Sequence, residues 1–237
     1  MFEVIAFDAD DTLWHNENIY RDTQSRIIEI LARYHDANWI EQRMFETEVR
    51  NIEHYGYGFK GFTLSMIETA IELTEGQISG TEIGQMIEIT REMVRAPVVL
   101  LEGVEETLER LSADHDLMLI TKGDLFEQEA KIIRSGLADY FSRIEIVRTK
   151  TTETYKAITA RHRINPQRFV MIGNSLKSDI LPVLEIGGQA IYIPYETTWA
   201  HESVPENELI GKNIQQLSNI SQLSDFLNSL RPDKSVG

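Results

Sequence analysis

The 237-residue sequence contains no cysteine. That absence excludes disulfides, thiolate zinc sites, iron–sulfur clusters and a cysteine nucleophile, and it is compatible with a reducing compartment. Positive charge is also scarce: 23 Lys and Arg stand against 38 Asp and Glu, a formal net charge of −15. Non-specific binding to nucleic acid or to an anionic membrane needs net positive surface, so neither is expected as a partner. Long apolar runs are missing as well. The run Phe2 to Phe7 is interrupted by Glu3 and closed by Asp8. It is too short for the apolar region of a signal peptide and far too short to span a bilayer, so the expectation is a cytoplasmic protein. No internal repeat or low-complexity tract is present. What remains, 42% hydrophobic and 26% charged residues, is ordinary for a globular chain. The length suits one large domain or one domain with a smaller insert. Such an acidic chain can still bind a phosphate if a metal ion or well-placed lysines supply local positive charge.

Short β-branched and aromatic runs recur along the chain, at 2–8, 117–121, 143–147, 168–172 and 189–193. They have the character of strands buried on both faces. Helical spacing fills the gaps: 104–112 with Val104, Leu108 and Leu111; 124–135 with Leu125, Ile132 and Ile133; 153–162; and 178–186. Strands alternating with helices predict parallel βαβ units and an α/β fold with an open, doubly wound parallel sheet. One stretch breaks the alternation. From Asn16 to Arg95 there is no strand candidate, but apolar residues recur at three- and four-residue steps, as in Ile19, Thr23, Ile27, Ile30, Leu31 and Tyr34, or Ile83, Met86, Ile87 and Met93. Further helices are predicted near 39–53 and 62–74. The expected organisation is a core of 1–15 and 96–231, an all-helical insert over 16–95, and a frayed tail over 232–237.

Ligands of doubly wound sheets bind at the carboxyl ends of the strands. The first strand runs into Asp8-Ala9-Asp10-Asp11-Thr12. Two carboxylates at i and i+2 can face one ligand there, and at ~4 Å two like charges cost about 4 kcal/mol at an effective dielectric of ~20. A divalent cation is the usual remedy, and Mg²⁺ takes oxygen ligands while keeping several waters. The bland alternative for this segment is an acidic turn with a helix cap. The second strand ends in Thr121-Lys122-Gly123, a hydroxyl and backbone N–H groups leading into a helix, which suits an anion. Lys150 follows the third strand. The fourth runs into Gly173-Asn174-Ser175-Leu176-Lys177-Ser178-Asp179, a second set of oxygen ligands.

With these residues in order, the sequence resembles the haloacid dehalogenase superfamily, in its phosphatase branch with a helical cap. Asp8, Asp10 and Thr12 match the family's DxDxT; Thr121 matches the Ser or Thr that closes the next strand; Lys150 in KTTETY matches the lysine before a helix; Gly173 to Asp179 match GDxxxxD except at Asn174. The 111 positions from Asp10 to Thr121 accommodate a cap of several helices, whereas the 29 from Thr121 to Lys150 leave no room for a second. The resemblance implies Mg²⁺-dependent hydrolysis of a small phosphorylated metabolite. Asp8 would be the nucleophile that forms an aspartyl-phosphate, and Asp10 the general acid and base. Thr121, Lys122 and Lys150 would hold the phosphoryl oxygens. Mg²⁺ would sit on Asp8, the Asp10 carbonyl and Asp179, with Asn174 ligating or orienting a metal-bound water in place of the usual acid. An acid at position 10 favours phosphate chemistry over dehalogenation. A phosphomutase using the same residues, and a non-catalytic metabolite-binding or regulatory protein, are the alternatives.

Other signals are weaker. Gly56 to Gly61, GYGFKG, matches GxGxxG but follows a helical pattern with no βαβ unit around it, so nucleotide binding is not expected there. Tyr57 and Lys60 in that loop are candidates for choosing the leaving group, with an ordinary interhelix loop as the alternative. Lys156 competes with Lys150 but reads as a solvated helix residue. Tyr195, Thr198 and Trp199 form a loop after the fifth strand that either flanks the site or packs on the body. No HExxH or GxSxG is present, and no motif fixes an oligomeric state.

Overall fold

The computed structural model describes residues 2–197 and 199–230. Thr198 and the predicted tail over 232–237 lie outside the described residues. Six parallel strands form one sheet: β1 (Val4–Phe7), β2 (Asp116–Lys122), β3 (Arg143–Val147), β4 (Phe169–Gly173), β5 (Gln189–Tyr192) and β6 (Gln215–Gln216), in the order β3-β2-β1-β4-β5-β6. Side chains alternate across the pleat. From β1, Ile5 and Phe7 enter one core with Leu117, Leu119, Val170 and Ile172, while Val4 and Ala6 enter another with Met118, Ile120, Phe169 and Met171. The two faces are covered by different helices. On the first lie α5 (Val104–Ser112), α6 (Leu125–Ser135) and α9 (Leu223–Ser229); on the second lie α7 (Thr152–His162) and α8 (Leu181–Glu185). The doubly wound α/β fold predicted from the alternation is therefore the one observed. The chain winds from β1 outward through β2 to β3, then crosses to β4 on the other side of β1. The crevice of this topology is thus at the carboxyl ends of β1 and β4.

Between β1 and α5 stand four helices: α1 (Glu17–Leu31), α2 (Ala37–Tyr55), α3 (Phe59–Leu73) and α4 (Gly80–Arg95). They enclose a separate apolar core of Ile27, Leu31, Ile40, Met44, Phe62, Met66, Ala70 and Met86. Local chemistry starts and stops them: Asp36 caps α2 by accepting from Trp39 N, and Ser79 with Glu82 closes a capping box on α4. The chain leaves and re-enters the sheet body side by side, with His15 N donating to Val99 O at 3.0 Å and Leu101 N to Leu13 O at 3.0 Å.

Some elements differ from the sequence reading. On α6 the expected apolar face is only partly buried: Ile132 is inside, but Leu125 and Ile133 are 58% and 74% exposed. Glu127 and Gln128 are buried instead, because that face borders the crevice and finds hydrogen-bond partners there. The helix expected over 178–186 begins as a π-turn, Leu176–Ile180, before α8. The two-residue strand β6 and helix α9 had no periodic signal long enough to predict. Among the described residues no helix is long and apolar enough to cross a membrane.

Candidate active site

Asp8 extends β1, its N–H donating to Ile172 O of β4 at 2.9 Å. The chain then turns sharply, and Asp11 takes φ 61°, a left-handed conformation that Asp tolerates better than most residues. The Asp11 carboxylate accepts from the N–H groups of Asn16 (2.9 Å) and Glu17 (3.1 Å). It is a cap on the N-terminus of α1, so the bland reading of this acidic turn holds for Asp11. Burial pushes its carboxyl up to about 7 against those two N–H bonds.

Asp8 is differently placed. Its Oδ2 accepts from Thr12 Oγ1 at 3.0 Å, and its Oδ1 accepts from the Lys150 ammonium. Lys150 also donates to Asp179 Oδ1 at 2.7 Å and is 1% exposed at its side chain. Burial opposes the lysine's charge, but Asp179 and Asp8 outweigh it and lift its pKa above the ordinary lysine value. Two buried acids share one ammonium, and the Asp8 carboxyl is pushed up to about 7, chiefly by burial and in spite of Lys150. Asp179 is fixed at its other oxygen by Ser175 N at 3.0 Å. A Cβ on residue 173 would stand 2.3 Å from Asp179 Oδ2, so the glycine that ends β4 is required by the carboxylate folded against it. Asn174 Oδ1 lies 3.3 Å from Thr12 Oγ1, whose single proton serves either Asn174 or Asp8.

Thr121, at the end of β2, is buried, and its hydroxyl accepts from Gln128 Nε2 at 3.1 Å. Asp10 has a separate set of partners. Its carboxylate accepts from Trp14 Nε1 (2.7 Å), Gln128 Nε2 (2.8 Å) and Lys131 Nζ (3.1 and 3.2 Å). Asp8, Asp10, Thr121, Lys150, Asn174 and Asp179 nevertheless all line one cavity of about 170 Å³. Its opposite wall is made by the helical insert, including Glu17, Tyr20, Arg21, Glu48 and Tyr57.

Lys122 lines the same cavity, but its ammonium is engaged by Glu202 and by Ser178 Oγ at 3.0 Å, and it lies 4.6 Å from the centre of the Tyr57 ring. Glu202 belongs to the loop after β5 and also accepts from Ser175 Oγ (2.5 Å) and Ser178 Oγ (2.6 Å). Burial disfavours its charge, yet Lys122 and the two hydroxyls hold its pKa at about 2. The same loop reaches the insert. Tyr195 OH lies 2.6 Å from His15 Nδ1 and accepts from Asn18 Nδ2 at 2.9 Å, and the Trp199 ring meets Tyr57 edge-on at 6.1 Å.

Lys60 is the sequence candidate that the cavity leaves out. It is exposed and pairs with Asp124 at 2.9 Å, and it is not among the residues that line the cavity. The glycines of its GxGxxG segment build a tight interhelix turn: Gly56 and Gly58 take φ 71° and 115°, and a Cβ on Gly58 would stand 2.7 Å from Glu127 Oε2. Phe59 N donates to that oxygen at 2.8 Å, so the turn docks the insert onto α6. Lys156 is exposed on α7. Gln128, Lys131 and Glu202 were not found by sequence reasoning. The first two carry a usable signal, since Glu127, Gln128 and Lys131 fall on one helical face directly after the strand-ending Thr121. Glu202 carries none.

A parallel doubly wound sheet gathers buried carboxylates, a lysine and a threonine at its switch point, the place where α/β enzymes bind their ligands. A family model for haloacid dehalogenase-like hydrolases matches residues 2–187, and the chain belongs to that family. The crystal structure of a haloacid dehalogenase-like hydrolase from Xanthomonas campestris is 41% identical, with a TM-score of 0.86 over 97% of this chain and 91% of that one. The glyceraldehyde 3-phosphate phosphatase of Pyrococcus furiosus is 24% identical over 200 residues, 81% of either chain. The L-2-haloacid dehalogenase of Xanthobacter autotrophicus, 11% identical, covers 98% of this chain and 100% of its own with a TM-score of 0.64, and shares the fold.

Proposed function

We propose that the protein is a phosphohydrolase that cleaves small phosphate monoesters through an aspartyl-phosphate on Asp8. The observation that supports this most is the buried Asp8 carboxylate, held by Lys150 and Thr12 at the floor of a cavity that Thr121 also lines. Asp8 attacks phosphorus, the ester P–O bond breaks, and the leaving alkoxide takes a proton from Asp10. In the second half, Asp10 accepts a proton from a water that attacks the phosphoryl group, which releases inorganic phosphate and regenerates Asp8. Lys150 and the Thr121 hydroxyl hold phosphoryl oxygens and stabilise the charge that develops on them. Lys122 lines the wall of the cavity with its ammonium paired to Glu202, where it can donate a hydrogen bond to a phosphoryl oxygen.

The side-chain oxygens fit a hard divalent ion. Asp8 and Asp179 leave one negative charge after Lys150 is counted, and Asn174 adds a neutral oxygen beside Thr12. Mg²⁺ keeps several waters, so a few protein oxygens suffice for it. Asp8, Asp179, Asn174 and the Asp10 carbonyl would hold Mg²⁺, which would offset the repulsion between nucleophile and phosphate dianion.

Residues 16–95 serve as a cap on a core of 1–15 and 96–231. Their separate apolar core and the paired connections at His15–Val99 and Leu13–Leu101 support a unit that moves as one body. Closure excludes bulk water and brings the cap wall to the leaving group. That wall mixes Arg21, Gln24 and Asn51 with Tyr20, Tyr57 and Phe62, and a relative is named for a triose phosphate; on the strength of that relative, three-carbon phosphate esters head the substrate panel. The test is phosphate release across metabolite phosphates with Mg²⁺, comparing wild type with Asp8→Asn. Turnover of at least one ester by wild type and none by the variant supports the reading, while equal release by both overturns it.

A further inference from the structure

Gln128 occupies a chemically unusual position. It is 2% exposed, and its Nε2 stands 2.8 Å from Asp10 Oδ2, 3.1 Å from Thr121 Oγ1 and 2.8 Å from the Lys122 carbonyl. Its Oε1 is buried without a hydrogen-bond partner. The orientation of the amide follows from its surroundings: reversing it would set Oε1 against the Lys122 carbonyl, which has no proton to donate, and would leave that carbonyl without the N–H. Two N–H groups therefore serve three acceptors while the amide oxygen goes unpaired. Buried polar atoms without partners are rare in native structures. The backbone also makes way for this side chain. Gly123 has φ 144°, and a Cβ there would lie 3.1 Å from Gln128 Nε2 and 3.2 Å from its Cγ.

The arrangement has a consequence for Thr121. A hydroxyl has one proton and two lone pairs. Because Thr121 Oγ1 accepts from Gln128, its proton is directed elsewhere, and the residue lines the cavity. The same amide holds Asp10 Oδ2. We propose that Gln128 is a positioning residue, one amide that keeps the phosphoryl-contacting hydroxyl of Thr121 and the proton-transferring carboxylate of Asp10 in mutual register. This rests on the phosphohydrolase reading above.

Gln128→Met tests it, since Met keeps the length of the side chain and removes both the donors and the orphaned acceptor. Two esters are compared: p-nitrophenyl phosphate, whose leaving group departs without a proton, and whichever alkyl phosphate of the metabolite panel wild type hydrolyses fastest. Misplacing a proton donor costs on the order of 100-fold. Because kcat/KM reads only the first half-reaction, the expected result is a loss of about 100-fold in kcat/KM for the alkyl ester and only about 5-fold for the nitrophenyl ester, whose smaller loss reports the displaced Thr121 hydroxyl alone, with a melting temperature within a few degrees of wild type. Should the variant melt early, the ratio of the two rates still reads the effect, because it is independent of the folded fraction. An equal loss on both esters, or no loss on either, overturns the role of Gln128 while leaving hydrolysis through Asp8 intact. A wild type that hydrolyses no ester, or an Asp8→Asn enzyme as active as wild type, overturns both.

Discussion

Glu202 is the clearest place to weigh a single interaction. Its carboxylate, 10% exposed, accepts from the Lys122 ammonium and from the hydroxyls of Ser175 and Ser178, and these fasten the loop after β5 to the carboxyl ends of β2 and β4. Glu202→Gln removes the charge and nearly preserves the shape. The folded carboxyl titrates at about 2 and an unperturbed one at 4.5; at 1.36 kcal/mol per unit, the ionised form is favoured by about 3 kcal/mol at pH 7. A depressed carboxyl pKa contributes stability that is complete above the unfolded value and disappears as pH falls through the folded value. The contribution is therefore about 3 kcal/mol at pH 7 and about 1.5 kcal/mol at pH 3. Hydrogen exchange of the backbone amides of Glu202 and Ser203, which donate to Trp199 O and Ala200 O, reads the local opening directly. Relative to wild type at the same pH, Glu202→Gln is expected to exchange about 100-fold faster at pH 7 and about 10-fold faster at pH 3. Unchanged exchange at pH 7, or a ratio that grows toward acid pH, would refute the idea that this ion pair latches the loop.

Glu48 should behave in the opposite sense. It lines the cap wall, and burial together with the charge of Glu17 pushes it up to about 7. Its ionised form therefore destabilises the fold above the unfolded value of 4.5, and Glu48→Gln is expected to stabilise the protein by about 3 kcal/mol at pH 8 but only about 1 kcal/mol at pH 5. Urea unfolding at the two pH values measures this, and equal shifts at both would count against it. At the metal position, Asn174→Asp restores a negative charge beside Asp8 and Asp179 and is expected to lower the Mg²⁺ concentration for half-maximal activity roughly 10-fold, in line with the size of outer-shell effects on metal sites. Metal titration of both forms checks it; an unchanged or higher midpoint contradicts it.

The parts of the site that could be read from the sequence are those where chemistry is local to a strand end. Asp8 directly follows β1, Thr121 is the penultimate residue of β2, and Lys150 and Asp179 lie three and six residues beyond β3 and β4; a parallel sheet brings such ends together. The predicted helix spans hold for the same reason, since periodicity fixes the element. Periodicity did not fix the face of α6, where Asp10, Thr121 and Lys122 engage the buried Gln128, and Tyr20 and Phe59 of the insert engage the buried Glu127, while Leu125 remains exposed. Asp11 shows a second limit. It sits between two site residues in sequence, yet a left-handed turn directs its carboxylate to a helix N-terminus. Lys60 and Glu202 show a third. Their partners, Asp124 and Lys122, are 64 and 80 residues distant, and long-range ion pairs between loops and helices leave no pattern in a single sequence.

The account depends most on Asp8. Rapid quenching of wild type with a substrate carrying a labelled phosphoryl group, followed by peptide mapping, is expected to place the label on the Asp8 carboxylate during turnover and to find none on Asp8→Asn. Label on another residue, or full turnover by Asp8→Asn without a phosphorylated intermediate, would contradict it.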